Sequence, residues 1–417
     1  MEGSPDTQLA GRRGAFPALV VAEFVSITGS EISALAVPWF VLVTTGSPAR
    51  TGLALAAEFV GMLVFGVPAG EVVARLGARR TMLLADAVRG CLIAAIPILH
   101  SANALSFPAL LSILLAVGAV FPAHSSAGQL VLATVVGQDQ IRLTRANGIM
   151  GSLNEAGSLM GPALGGVLIA LTSAPAVLLI DAATYAVAFA MTMAVVRPGR
   201  VAAVEGEAPD SGRLLAGFRF LVSDRWLPSI SIGVAVMEVT WTGMMAALPV
   251  LAFRAFDRNV YLAGWFIGAF GGGSMIGGLL SAKVVRRFGI GRVAVGAYAV
   301  EAAAMWVLVT SPPPGGVIAA VAVDGLCMGI FMPALFAEMT VRTPAALRGK
   351  TLAAANVAFS VGGPLGFIGV GFLLQHVTGT APAFLAIASV ATIAAVVFAA
   401  APQASVQRRA TTLLEDQ

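Results

Sequence analysis

Long apolar runs recur along this whole sequence, and they constrain its fold more than any other feature. Of the 417 residues, 58% are hydrophobic and only 11% are charged. A soluble domain carries about 25% charged residues, so this chain could not cover a water-exposed surface. A helix can cross a bilayer because it satisfies its own backbone hydrogen bonds, and it needs about 20 apolar residues to do so. The sequence therefore predicts an all-α, polytopic membrane protein.

Twelve such runs are present, bounded by Gly, Pro and clusters of charge. The first six predicted spans lie at 17–43, 51–73, 81–101, 106–133, 147–172 and 175–196. The second six lie at 227–252, 260–283, 292–311, 315–339, 350–376 and 380–401. The predicted domains are a cytoplasmic N-terminus, a six-helix bundle, a cytoplasmic central loop, a second six-helix bundle and a cytoplasmic tail, at 1–16, 17–196, 197–226, 227–401 and 402–417. In the central loop, Leu214–Val222 fits an amphipathic helix or a plain surface loop equally well.

The basic residues orient these spans. With the N-terminus in the cytoplasm, 21 of the 25 Lys and Arg residues fall on the cytoplasmic side. Arg50, Arg254 and Arg258 fall on the outer side, and Arg89 lies within the third span. The positive-inside rule expects such a split. We therefore predict a multi-pass protein of the plasma or inner membrane with both termini in the cytoplasm.

The sequence argues against several other classes of protein. The isoelectric point near 9.6 does not indicate nucleic-acid binding, because the basic residues form short clusters between apolar runs. Cys91 and Cys327 lie inside apolar runs and do not predict a disulfide. The first run contains Glu23 and Glu31 and is too long for a cleavable signal peptide. No nucleotide-binding loop is present. We expect neither an enzyme nor a bound cofactor or metal.

The two halves of the chain echo each other. An Arg-x-Gly sequence follows the second span at Arg75 and recurs after the eighth at Arg287, 212 residues later. A Gly-Pro pair in the fifth span, at Pro162, recurs in the eleventh at Pro364 after 202 residues. Duplicated halves of this kind are typical of secondary transporters, in which the substrate site lies near the bilayer midplane where the repeats meet.

The glycine-proline pattern of the fifth span resembles a motif of the major facilitator superfamily. Its residues are Gly148, Gly157, Gly161, Pro162, Gly165 and Gly166. In that superfamily the motif is associated with proton-coupled drug antiporters, and with the twelve-span repeat the resemblance covers nearly the whole chain. Glycines let helix backbones approach closely, and proline bends the segment. A generic small-residue packing face is the alternative interpretation.

The loop after the second span resembles a second motif of the same superfamily, Gly-x-x-x-Asp-Arg-x-Gly-Arg-Arg. The matching residues are Gly70, Arg75, Gly77, Arg79 and Arg80. The acidic position of the motif is occupied here by Ala74. In the superfamily that carboxylate helps to latch the cytoplasmic side closed, and Glu71, nearly one turn away, is a candidate substitute. The arginines also serve as topology anchors.

Several short stretches resemble the branch of the superfamily that contains macrolide efflux proteins and the enterobactin exporter. They are Ser26–Gly29, Pro38–Trp39, Thr45–Ser47, Leu84–Asp86 with Arg89, Ala146–Asn147 and Gly217–Leu221. This resemblance implies export of amphipathic compounds from bacteria and specifies no particular substrate.

Acidic residues within the predicted spans are the candidate coupling groups. A carboxylate in hydrocarbon is costly unless it is paired, hydrated or protonated, so it can take up and release protons. In the superfamily, spans one, four, seven and ten line the central cavity, which implies that Glu31, Glu238 and Asp324 face it. Glu155 and Glu58 are the other coupling candidates. Glu301, in a peripheral span, is interpreted as structural. For every acid the alternative is a carboxylate that hydrogen-bonds to a neighbouring helix.

Aromatic, Met and His side chains near these acids are the candidates for a substrate cavity. They are Trp241, Met245, Met328, Phe331, Phe24 and His124. An acid among aromatic rings and Met suits an amphipathic ligand, including a cationic one. Packing between helices or against lipid is the alternative. Asp86 and Arg89, three residues apart, are expected to pair locally or to brace the adjacent loop.

Together these features predict a secondary active transporter that exports drugs or secondary metabolites by proton antiport. Its partners would be a small-molecule substrate, protons and the lipid bilayer, and we expect a monomer. Two alternatives stay open: a dedicated exporter of one metabolite such as a siderophore, and a non-transporting membrane sensor or scaffold.

Overall fold

The computed structural model describes residues 5–66, 68–137, 139–196, 218–223, 227–344 and 347–400. These residues are helical almost throughout, and no β-strand occurs among them. In chain order the helices are α1 (Pro5–Thr45), α2 (Pro48–Gly66), α3 (Ala69–Leu76), α4 (Ala78–Ser101), α5 (Phe107–Val136), α6 (Gln140–Leu171), α7 (Ala174–Val195), α8 (Leu227–Ala255), α9 (Val260–Phe288), α10 (Ile290–Val309), α11 (Pro314–Arg342), α12 (Arg348–Ser360), α13 (Gly363–His376) and α14 (Ala381–Ala400).

These helices account for all twelve predicted spans. Ten helices in the described part of the chain are long and apolar enough to cross a membrane. The fifth span is α6, which has 32 residues and a polar first half. The twelfth is α14, whose apolar part at 381–396 is shorter. The all-α, twelve-helix membrane architecture predicted from the sequence is confirmed.

Several boundaries differ from the predicted ones, and α1 begins at Pro5 where the first span was predicted to begin at 17. The second span ends at Gly66, and the separate eight-residue helix α3 follows Pro68. The fifth begins at Gln140, where the Asp139 side chain accepts a hydrogen bond from the Arg142 backbone N–H at 2.8 Å. The eleventh is interrupted at Gly362, between α12 and α13.

The predicted central loop is largely outside the described residues. Within it the chain is helical at 218–223, which overlaps the amphipathic helix considered for Leu214–Val222. Residues 214–217, and the predicted tail at 402–417, lie outside the described part.

The chain divides into two compact units. The first unit is Met1–Pro209 with Arg258–Gly268, and the second is Asp210–Asp257 with Ala269–Gln417. In the first unit α1 packs on α6 and α7, α2 packs on α5, and α4 packs on α5 and α7. In the second unit α8 packs on α13 and α14, and α10 packs on α11 and α14.

An equivalent close glycine contact occurs within each of the two units, which supports the internal duplication. In the first unit a Cβ atom at Gly118 of α5 would lie 1.8 Å from the Glu58 carbonyl oxygen of α2. In the second a Cβ atom at Gly329 of α11 would lie 2.1 Å from the Ser274 carbonyl oxygen of α9. Glycine therefore brings the second and fourth spans of each half to backbone contact.

The turn after the second span of each half is also the same. Gly77 has φ +80° between α3 and α4, and Gly289 has φ +77° between α9 and α10. Their backbone N–H groups donate to the carbonyl oxygens of Val73 and Val285, each at 2.8 Å. A positive φ of this kind is easily reached only by glycine, which explains why both copies of the Arg-x-Gly sequence keep this residue.

Replacing Gly118 with Val should destabilise the protein, because the new side chain would overlap the α2 backbone. Overpacking costs about 1–3 kcal/mol even where flexible side chains can yield. We expect less folded protein after detergent extraction and a lower melting temperature, measured by fluorescence-detected size-exclusion chromatography. Gly296→Val is the matched control, since no atom lies within 4 Å of its Cβ position. Equal melting temperatures for the two variants would contradict the backbone contact.

Candidate functional site

A cavity of about 440 Å³, lined by both ionisable and apolar side chains, lies within the first unit. Three helices form most of its wall: α1, α5 and α6. Its polar lining residues include Glu23, Ser26, Ser30, Glu31, Arg89, His124, Ser125, Gln129, Asn147 and Asn154. Its apolar lining residues include Leu19, Ile27, Phe121, Leu132 and Met150. The cavity thus combines ionisable groups with apolar surface, which is the combination an amphipathic ligand needs.

The middle part of the predicted glycine-proline motif packs against Glu31. Ser158 of α6 donates a hydrogen bond to Glu31 Oε1 at 3.0 Å. A Cβ atom at Gly161 would lie 2.3 Å from the Cβ of Glu31 and 3.0 Å from its carbonyl carbon. Gly157 faces Ile27 on the same side of α1. The motif therefore brings the α6 backbone against α1 at the position of the acid.

The remaining glycines of the motif differ in their surroundings. The Cβ position of Gly165 lies 3.1 Å from the Ile32 carbonyl oxygen, and that of Gly166 lies 2.8 Å from the Val260 carbonyl oxygen in the part of α9 that belongs to the first unit. No atom lies within 4 Å of the Gly148 Cβ position. Pro162 is inside the helix between these contacts. Close packing therefore applies to Gly161, Gly165 and Gly166, and Gly148 has open space.

A second group of charges meets the cavity through Glu23. His124 of α5 is buried, and its Nε2 atom lies 3.0 Å from Asp86 Oδ1 of α4. Glu23 interacts electrostatically with His124, Asp86 and Arg89. The sequence predicted that Asp86 and Arg89 pair with each other or brace the adjacent loop, and the structure instead joins Asp86 of α4 to His124 of α5. Residues three apart on a helix can meet, but their side chains here turn to different neighbours.

Arg89 lies between two aromatic rings. Its guanidinium carbon is 4.6 Å from the Tyr185 ring centroid and 5.4 Å from the Phe121 ring centroid. Only 5% of the residue is exposed. Ring faces attract a guanidinium group, and this attraction strengthens when water is excluded. The rings therefore fix the arginine at the edge of the cavity.

Asp181 of α7 is a buried acid that the sequence analysis missed. It is 1% exposed and accepts a hydrogen bond from Ser33 at 2.5 Å. Glu58, a predicted coupling candidate, interacts electrostatically with Asp181 and Arg89 and is not among the residues that line the cavity. Asp181 is the one charged residue within the predicted span 175–196. A lone acid in an apolar span was the sequence signal that could have identified Asp181 as a candidate.

Two other first-unit candidates lie near the cavity without lining it. Glu155 of α6 interacts electrostatically with Glu31. Phe24 of α1 is half-buried. Neither belongs to the residues that line the cavity, so the structure groups Glu31, Glu23, His124 and Arg89 more closely than the predicted set did.

In the second unit the acids form a different cluster. Asp324 of α11 and Glu301 of α10 are 2% and 3% exposed. The two carboxyl groups interact electrostatically, and Thr240 of α8 donates a hydrogen bond to Glu301. We placed Glu301 in a peripheral position from the sequence, and the structure puts it beside Asp324. Its neighbours come from two other helices, so spacing along one helix could not reveal the pair.

The predicted aromatic and Met residues of the second unit separate into two groups. Phe331 is fully buried in the apolar core, with its ring 5.9 Å from Tyr298, and Met328 packs against the same core. Phe331 therefore packs between helices, which was the alternative interpretation of these residues. Trp241, 5.9 Å from the Phe270 ring, and Met245 are half-buried on α8, as is Glu238.

The predicted loop motif makes local contacts. Glu71 pairs with Arg75 one turn later in α3, and both side chains are largely exposed. Arg79 donates hydrogen bonds to the carbonyl oxygens of Val196 and, at 3.1 Å, Met193 at the end of α7. Gly70 and Arg80 belong to the same loop region, with Arg80 exposed. Arg79 therefore braces the α7 C-terminus, where cations are favoured, and Glu71 is engaged by its own helix.

Twelve spans built as a repeat of six, with buried acids and a cavity lined by ionisable side chains in the first unit, define the class of multi-pass membrane transporters. The family model described as Major Facilitator Superfamily matches residues 19–366 and 230–413. The chain belongs to this superfamily. It is therefore a multi-pass membrane transporter. Bacterial transporters of this superfamily lie in the inner membrane.

Curated relatives and solved structures agree with this assignment. The chain is 26% identical over 392 residues to the multidrug efflux pump Tap of Mycolicibacterium fortuitum, covering 90% of this chain and 93% of that protein. It is 25% identical over 386 residues to the multidrug efflux pump Tap of Mycobacterium bovis, covering 90% of each.

Two solved structures share the fold. The nucleoside transporter NupG has a TM-score of 0.75 at 14% identity and covers 93% of this chain and 99% of its own. A bacterial homologue of the iron transporter ferroportin, in an inward-facing state, has a TM-score of 0.72 at 13% identity and covers 92% and 97%.

Proposed function

We propose that this transporter exports amphipathic small molecules, drugs or secondary metabolites, in exchange for protons. The observation that carries the proposal is the first-unit cavity, in which Glu31 is held against the glycine motif of α6. Relatives that match nearly the whole chain are named multidrug efflux pumps, which supports export as the direction of transport.

Proton coupling follows from the cost of burying a carboxylate. Outside water the neutral form of Glu31 is favoured, and a hydrated cavity or a bound cation favours the charged form. A substrate that enters and a proton that leaves can therefore exchange at one acid. At about 100 mV, one charge moved across the membrane is worth about 2.3 kcal/mol, or roughly a fifty-fold concentration ratio. A single proton thus supplies a useful driving force.

The proposal extends to the orientation and state of the protein. We infer that both termini face the cytoplasm from the distribution of Lys and Arg, and that a monomer suffices because the cavity and its charged groups belong to one chain. The cavity opens alternately to the two sides of the membrane as the halves move.

The test is an efflux assay in bacteria that express the protein, loaded with chemically diverse fluorescent amines. We expect faster efflux than from cells with the empty vector, and loss of that difference on addition of a protonophore. Efflux of several unrelated dyes supports a broad exporter, whereas efflux of a single compound supports a dedicated one. Purified protein in proteoliposomes that moves no compound under an imposed pH gradient would contradict transport itself.

A further inference from the structure

Arg89 has hydrogen-bonding capacity that the protein leaves unused at the wall of the cavity. Its exposed fraction is 5%. Its Nε atom has no hydrogen-bond partner among the described residues. A guanidinium group is always charged and carries five N–H donors. Leaving the Nε donor of a buried charge unpaired is costly, so this site favours a ligand that supplies an acceptor.

The surroundings of Arg89 hold it toward the cavity. The rings of Phe121 and Tyr185 lie beside the guanidinium group, and the Tyr185 hydroxyl lies 2.9 Å from Ser30 Oγ. Phe121 and Arg89 both line the cavity. Glu23, Glu58 and Asp181 interact electrostatically with Arg89.

Glu31 lies at the other end of the cavity from Arg89. Glu23 lies close enough to Arg89 to interact electrostatically, and Glu31 follows eight residues later on α1. With a rise of 1.5 Å per residue, the two ends of this wall are roughly 12 Å apart. Ile27 and Met150 line the cavity with apolar surface. A ligand that bridges this space meets Arg89, flanked by Glu23 and His124, at one end and Glu31 at the other.

We propose that Arg89 binds an anionic group of the exported substrate while Glu31 receives its cationic group. The substrates of this site are then amphipathic zwitterions, with a carboxylate or comparable anion paired in the planar, bidentate manner that guanidinium groups favour. His124 borders the same end of the cavity and supplies a second polar contact. This inference rests on the proposed export function and names the substrate class that the cavity prefers.

A matched pair of dyes tests this subsite. Rhodamine B carries a carboxylate, and its ethyl ester carries the same cationic fluorophore without that charge. Binding is measured by fluorescence polarisation with the full-length protein in lipid nanodiscs. We expect the wild type to bind rhodamine B more tightly than the ester. Arg89→Gln should weaken rhodamine B binding at least about tenfold, the worth of a charged hydrogen bond, and change ester binding little.

Controls separate binding from folding and from the proposed function. Arg50→Gln removes another arginine that lies over a ring, 5.2 Å from Phe107, outside the cavity, and should change neither affinity. Arg89→Lys keeps the charge without the planar fork and should give an intermediate loss for rhodamine B. An equal loss of both dyes in Arg89→Gln, or a wild type that prefers the ester, overturns the subsite. If Arg89→Gln does not fold, the affinity of the wild type for rhodamine B relative to its ester tests the subsite. A wild type that binds neither dye contradicts the proposed function as well.

Discussion

Replacing Glu31 with Gln should abolish proton-driven efflux while the protein still folds and inserts. Glutamine has the same shape and can still accept the hydrogen bond that Ser158 donates to Glu31 at 3.0 Å. It cannot take up or release a proton. The concentration ratio of dye that the proton gradient sustains should therefore fall to one. The measurement is uphill dye transport in everted vesicles with an imposed pH gradient.

Exchange transport provides the internal control for this prediction. Movement of labelled substrate against unlabelled substrate needs no proton, so Glu31→Gln should retain it at saturating substrate, with a raised KM because the substrate's cationic group loses its charged partner. Glu338→Gln removes a carboxylate that pairs with Arg342 one turn later on α11 and is not among the cavity-lining residues, and it should leave uphill transport within about twofold of wild type, as partly exposed ion pairs contribute little. Undiminished uphill transport by Glu31→Gln would exclude this acid as the coupling group.

The membrane architecture could be predicted from the sequence because it follows from properties of single segments. Twelve apolar runs and their flanking arginines specify spans without reference to any contact. The repeat was also visible, since glycine and proline sequences recur at nearly constant spacing. The end of α2 at Gly66 was missed because Val72 and Val73 extend the apolar run beyond Pro68.

The charge clusters could not be predicted in the same way, because each joins residues from several helices. Asp86 meets His124 on another helix, and Glu301 meets Asp324 and Thr240 on two others. One-dimensional spacing is silent about such pairs. The link between the glycine motif and Glu31 was equally hidden, although both had been singled out separately. The role of a buried acid depends on which helix packs against it.

That link distinguishes glycines within a single motif. Gly161 and Gly148 both belong to the pattern on α6, and the sequence treats them alike. In the structure a Cβ atom at Gly161 would lie 2.3 Å from the Glu31 Cβ and 3.2 Å from its Cα, whereas the Gly148 Cβ position has no atom within 4 Å. Backbone atoms of α1 cannot move aside as a flexible side chain can, so substitution at Gly161 must displace a helix.

Gly161→Val should therefore lower efflux by about tenfold or more, and Gly148→Val should leave it within about twofold of wild type. Misplacing a functional group by about 1 Å can cost roughly 100-fold in rate, and overpacking costs about 1–3 kcal/mol of stability. Efflux rates are measured in vesicles at equal amounts of folded protein, so that loss of stability is separated from loss of transport. Gly161→Ala adds a single methyl group and should fall between the two. Equal effects at both glycines would mean that the motif acts through the flexibility of α6, and the contact with Glu31 would then have no role in coupling.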